Sequence, residues 1–470
     1  MNKMILCTLI SLSITGCAQF RDYQSPTTDK TVEATQLSDD TYEFANAQQP
    51  IADWWTAFQD PQLTQLVEKA LVHNLDVRIA LANLQAARAL SRAVGSDRYP
   101  TVDANGGYSR NLYSEETQNA NTRAADIYEA GFDANWELDI FGRVSYGIES
   151  QLAQEQAIAA DLQQMYVSVA AEVARQYFTL RGAQYRLDIA ERNAENQNET
   201  FELTERILNA GGASALDVSR AKTQLSLTRS TIPPLRAQID STINSLSVLT
   251  GQVPDALRSR LSETKALPTL PLTVAVGDVQ QLLTRRPDIR SAERSLAASV
   301  ADYNLTVADL FPKVSILGSL GFISTNLSSF GTTALAGSIG PSISWQVFDR
   351  DRLKAYVDQA NAQTKVALAQ YEKTVLSALE ELQSAMSDFS NEEQRRAELQ
   401  EAAASAKQSA TMARNRFDSG YDNFLDVLDA ERTLLEAEDT LANSEITSGL
   451  NLVTIYKALG GGWQVKPQQR

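Results

Sequence analysis

Asp426 and Asp429 stand three residues apart in the run GYDNFLDVLD at 420–429. On a helix that spacing puts both carboxylates on one face. Several copies of such a helix converging on an axis would stack the carboxylates into rings, an arrangement that favours cations. The same residues also suit a helix start, with Asn423 at the cap and Asp426 three positions in, complementing the helix dipole. Catalytic chemistry finds little else to use. The one histidine, His73, lies in HNLDVR, so a His-based triad is improbable and a multi-His metal site is excluded within one chain. Asp133 and Glu137 could serve by type as acid and base, but they fall in an alternating strand pattern with no supporting site chemistry. No catalytic centre, metal site or cofactor is expected.

The remaining reactive residue is Cys17. The chain opens with Lys3, then an apolar run from Met4 to Ile14, then Thr15-Gly16-Cys17 and polar sequence. The run is too short to span a bilayer, which needs about 20 residues. Ile14-Thr15-Gly16-Cys17 has the form of a bacterial lipobox, in which the cysteine becomes the acylated first residue of the mature chain. Only one other cysteine, Cys7, is present, and it would leave with the signal. The mature chain would then form no internal disulfide, although its compartment would permit one.

Net charge is −16 and pI about 4.7, which argues against nucleic acid as a partner because phosphates would be repelled. Beyond the signal no stretch of about 18 apolar residues exists, so a bilayer-spanning part must be built of strands.

The elements that must position these residues come in two copies. NLDVR at 74–78 matches RPDIR at 286–290, Tyr99-Pro100 matches Phe311-Pro312, and Trp136 matches Trp345. Further on, Gly211 matches Gly420, Leu216-Asp217-Val218 matches Leu425-Asp426-Val427, and Gly251 matches Gly460. Asp217 thus stands where Asp426 stands, whereas Arg220 occupies the place of Asp429, leaving Asp429 the harder of the two to explain as a cap. Each copy reads helix, strand pair, long helix, glycine turn, helix. Residues 129–139 alternate with a period of two, as do those from Val102 to Tyr108, Val314 to Phe322 and Ile339 to Val347. Each segment has about the 9–11 residues of a tilted membrane strand. Phe132, Trp136, Ile316, Ile343 and Trp345 should face lipid or its interface, and Asp133, Asn135, Ser315 and Ser344 the lumen. Polar loops around 111–126 and 326–333 join the pairs, as on the external side of outer-membrane strands. Four strands cannot close a barrel, and an open edge in lipid leaves backbone groups unpaired. Two chains would give a filled eight-stranded barrel, whereas three would give twelve strands and a bore, so a homotrimer is expected. From Ser145 to Asn209, and in the matching stretch from Leu353, apolar and small residues step by three and four.

DWWTAFQDPQL at 53–63, ELDIFGR at 137–143, RRPDI at 285–289, LFPKVSI at 310–316, FLDVLDAERTL at 424–434 and YKALGGGW at 456–463 together resemble the TolC-like outer-membrane factor family, most closely its lipidated, OprM-like efflux branch. The resemblance runs in order over essentially the whole mature chain. It implies an α+β membrane protein in which three chains share a twelve-stranded outer-membrane β-barrel continuous with a long periplasmic helical coiled-coil barrel. It also implies a periplasmic adaptor and an inner-membrane pump as partners. Within that family 420–429 would form the constricting periplasmic tip, with Asp426, Asp429 and Leu425 at the gate and Phe417 and Asp422 as neighbours. The latter two stand where TolC itself carries a Tyr and an Arg of the closing network, which puts in question how this gate is locked.

The division that follows is a signal peptide (1–16), a lipidated tether (17–52), a first-repeat helix with an equatorial part (53–98), strands (99–139) and long helices (140–251). A linker (252–285) leads to the second-repeat helix (286–310), strands (311–348), long helices (349–460) and an equatorial tail (461–470). The function expected is passive outer-membrane conduction of drugs and toxic compounds in a tripartite efflux system. The alternatives are a type I protein-secretion duct and a non-spanning periplasmic coiled-coil scaffold lipoprotein.

Overall fold

A computed structural model describes residues 20–26, 42, 44–46, 52–112, 124–271, 273–276, 285–419, 421 and 424–463. Cys17, Asp422, Asn423 and Gly420 lie outside them. The chain divides into two units, each assembled from three separate segments.

The first unit (Met1–Pro26, Asn83–Ala159, Ser291–Lys373) holds the four long strands. β2 (Thr101–Leu112), β3 (Ala124–Leu138), β5 (Lys313–Ser324) and β6 (Leu335–Ser344) make one antiparallel sheet in the order β2-β3-β5-β6. Two limits differ from the periodicity. β3 starts at Ala124, earlier than 129, because β2 continues to Leu112 and offers a partner as far as Ala124. The last strand runs from Leu335 to Ser344 and not on to Val347. Ser344 already faces Lys313, the first residue of β5, so Trp345 and Val347 have no ladder left within the chain.

The second unit (Thr27–Ala82, Ala160–Arg290, Thr374–Arg470) is mostly helical. In chain order the helices of both units are α1 (Pro61–His73), α2 (Leu75–Gly95), α3 (Arg143–Asn209), α4 (Ala215–Leu249), α5 (Arg258–Leu261), α6 (Pro287–Ala308), α7 (Arg350–Asp418) and α8 (Phe424–Ala458). α3 has 67 residues and α7 has 69, about 100 Å each at 1.5 Å per residue.

The first-repeat helix is broken at Asn74, whose side chain caps α2 by accepting from the N–H groups of Asp76 and Val77. Duplication is visible in the contacts. Asn74 Nδ2 donates to Leu249 O at 3.0 Å, and Arg286, its repeat counterpart, donates through Nη1 to Ala458 O at 2.8 Å. Each bond closes the end of a long helix just before a glycine of positive φ, Gly251 at 70° and Gly460 at 68°. A Cβ on Gly251 would fall 2.4 Å from His73 O, so bulk is excluded there as well as strain. Arg286 is buried and also binds Asp288 and Glu381.

The segment expected as a polar tether is partly docked. In the first unit Arg21 N donates to Asn304, Tyr23 bonds Glu293, and Phe20 stacks on Tyr146 and Phe311. In the second unit Phe44 packs edge-on against Phe389 at 4.8 Å, and β1 (Ala45–Asn46) pairs in parallel with β4 (Val274–Ala275). Aromatic residues inside the polar run supply these contacts.

Candidate functional site

Sheet register decides which side chains share a face, since direct cross-strand partners point the same way. One face carries the sets Val102, Ala134, Gly318, Ile339 and Ala104, Phe132, Leu320, Gly337, followed by Trp136, Ile316 and Pro341. The opposite face carries Asp103, Asp133, Ser319 and Ser338 at one level, with Asn135, Ser315 and Ser344 nearby. Phe132, Trp136, Ile316 and Ile343 therefore lie on the apolar face, and Asp133, Asn135, Ser315 and Ser344 on the polar one. Asp133 accepts from Asn105 Nδ2 at 2.5 Å, and Glu137 is held by two nitrogens of Arg143. These two carboxylates have separate structural partners.

The apolar face is bounded by aromatic residues at both ends. Tyr108 and Tyr128 meet at 5.0 Å beside the loop end of the strands. At the helix end the Trp136 and Trp345 indoles donate to Arg98 O and Leu310 O, equivalent carbonyls of the two repeats. From Tyr128 to Trp136 the strand rises about 26 Å, or about 20 Å once tilted, close to the height of an outer-membrane apolar band. Among the described residues no helix is long and apolar enough to cross a membrane.

The second candidate region is the pair of turns that join the long helices. At the first, Gly211 has φ 80° and Gly212 N bonds Ile207 O at 2.9 Å. Ser214 and Asp217 then form a reciprocal capping box at the start of α4. Hydrogen bonds from the Ser214 hydroxyl and then its backbone N–H hold the Asp217 carboxyl below its ordinary range. At the second turn Tyr421 N bonds Arg416 O at 2.9 Å, the counterpart of the Gly212 bond. Phe417 packs on Phe424 at 6.0 Å, which gives the second turn an aromatic clasp.

The two turns meet around a cavity of about 370 Å³ lined by Thr204, Ile207, Asp217, Phe417, Phe424 and Leu425, among others. Leu425 and its counterpart Leu216 are half exposed. Asp426 lies in the first turn of α8. Asp429 is exposed and accepts from Arg432 Nη2 at 2.6 Å. Sequence reading missed Arg432, although its place three residues after Asp429 was the signal for it.

The profile of the outer membrane efflux protein family matches twice, over residues 66–252 and 279–461. The chain belongs to the outer membrane efflux protein family. It is 30% identical over 466 residues to the solvent efflux pump outer membrane protein SrpC of Pseudomonas putida, covering 97% of each chain. It is 29% identical to the cation efflux system protein CusC of Escherichia coli strain CFT073, covering 97% of this chain and 98% of that one. Among solved structures it superposes on the outer-membrane channel OprN with a TM-score of 0.90 at 40% identity, over 96% of this chain and all of that one.

Its structural neighbours are trimeric outer-membrane channels, and the chain is mostly helical with a small sheet and duplicated within itself. The outer membrane efflux protein described here is thus an outer-membrane channel component of a tripartite efflux system. That removes the reading as a scaffold that never crosses the membrane.

Proposed function

We propose that this outer membrane efflux protein conducts small organic toxicants, solvents and antibiotics among them, as a homotrimer engaged by a periplasmic adaptor and an inner-membrane pump. The observation that supports conduction best is the register of the sheet, which gathers Asp103, Asp133, Asn135, Ser319 and Ser338 on one face and Phe132, Trp136, Ile316 and Ile339 on the other, with Ile127, Leu317 and Ile323 as apolar exceptions on the polar face. A face of Asp, Asn and Ser suits a water-filled bore, and an aromatic-edged apolar face suits lipid. Relatives matched at full length are named for solvent, toluene and antibiotic efflux, and one for cation efflux, which is the support for the cargo class.

The gate in this reading is the tip formed by the two turns. Leu425 narrows it with apolar bulk, and three copies each of Asp426 and Asp429 bias it toward cations. Phe417 closes the second turn through Phe424. Cys17 carries the lipid. It lies three residues before Phe20, which stacks on Phe311, and Phe311 stands two residues before the first residue of β5. An acyl chain there would enter the membrane leaflet beside the helix end of the strands.

Deleting the gene should lower the tolerated concentration of organic solvents and hydrophobic antibiotics several-fold, and a plasmid copy should restore it. Unchanged tolerance together with loss of an exported protein would overturn the cargo assignment in favour of a protein-secretion duct.

A further inference from the structure

Three polar contacts tie α3 to α8, and their α3 members, Arg186, Asn193 and Thr200, are spaced by seven residues along one stripe. Arg186 donates to Asp439 at 2.8 and 3.1 Å, Asn193 Nδ2 to Glu438 Oε2 at 2.9 Å, and Thr200 Oγ1 to Glu431 Oε1 at 2.8 Å. The rung nearest the tip differs from the rest. Arg186 and Asp439 are about one-third exposed, whereas Glu431 is 7% exposed. Among the described residues Glu431 Oε2 has no hydrogen-bond partner, and neither side-chain polar atom of buried Gln197, one turn back on the same stripe of α3, has one. An ionised carboxylate is costly in such a place.

The charges around Glu431 relieve it only in part. From α3 comes Glu199, a like charge. From α7 comes Arg414, whose Nη2 is 2.9 Å from Glu199 while its Nη1 is 3.9 Å from Glu431. On α4, Arg229 is engaged by Asn198 of α3, and on α8 itself Arg432 is paired with Asp429. Burial pushes the Glu431 carboxyl above the ordinary carboxylate range, opposed in part by the Thr200 hydroxyl and Arg414.

We propose that Glu431 is a proton-controlled latch between α3 and α8: neutral, it stays in the seam and holds the tip hairpin closed, and ionised, it is drawn to water and loosens the seam. The sign follows from the direction of the shift. A carboxyl whose titration point is raised by burial favours the buried arrangement most when protonated, and that contribution fades as pH climbs through the raised value. The latch rests on the placement of the gate at the tip only for its effect on conduction, so the two are separable.

Trimers of the parent, Glu431→Gln, Glu431→Met and Asp429→Asn would be compared over a pH series running upward from the ordinary carboxylate range. Hydrogen-exchange protection in α8, corrected for intrinsic exchange, reads the seam, and conductance in planar bilayers reads the gate. Parent and Asp429→Asn should lose protection as pH rises, while Glu431→Gln and Glu431→Met stay protected throughout. If protection tracks pH and conductance does not, the latch stands and the gate assignment fails. A Glu431→Gln trimer that keeps the parent's pH profile overturns the latch.

Discussion

If Asp429 lines the proposed gate, its ion pair with Arg432 would set how much charge it presents to a passing ion. Their 2.6 Å contact is between exposed groups, where an ion pair is weak and easily screened. Asp429→Asn should therefore lower cation preference in bilayers only about twofold, the scale of an exposed charge worth a few tenths of a kcal/mol. Arg432→Gln should raise that preference and deepen block by trivalent cations, and Asp217→Asn, at the first turn, should do less than either. An Arg432→Gln channel with unaltered ion preference would place both residues away from the conduction path. At Cys17, mass spectrometry of the mature N-terminus should find an acylated cysteine. An unmodified residue there would refute the anchor, while loss of acylation in Cys17→Ser should leave the strands able to form a barrel.

At the scale of elements, α3 and α8 approach closely because glycines face large side chains. A Cβ on Gly449 would lie 2.4 Å from Phe178 Cε1, and one on Gly182 would lie 2.4 Å from Ile446 Cδ1. Gly449→Ala should destabilise the trimer by about 1–3 kcal/mol through overpacking, measured by thermal or urea dissociation. Gly95→Ala, with open space around it, should be neutral or slightly stabilising.

The strands and the two turns were legible from residue order alone, because period-two alternation and a repeated glycine turn leave local signatures. Three other features were not. β6 ends at Ser344 because of where β5 begins, a non-local fact. Glu431 reads as one more polar residue on a charged helix, and only packing reveals that it is enclosed. Phe20 and Phe44 sit in a run whose polarity suggests a free tether, yet each finds an aromatic partner far along the chain.

At the scale of the whole molecule, conduction requires that the polar strand face line a bore shared by three chains and that the apolar face meet lipid. Ile343→Arg should then cost about 2–4 kcal/mol if the site lies near mid-bilayer, seen as loss of heat-resistant trimer on a gel. The most direct measurement uses Asp133→Cys trimers in a planar bilayer, with a charged, water-soluble thiol reagent added during single-channel recording. With the polar face lining the bore, conductance should fall in discrete steps, one for each protomer, while Trp136→Cys trimers show no change. Steady conductance through complete labelling at 133, or steps at 136 in its place, would contradict that lining.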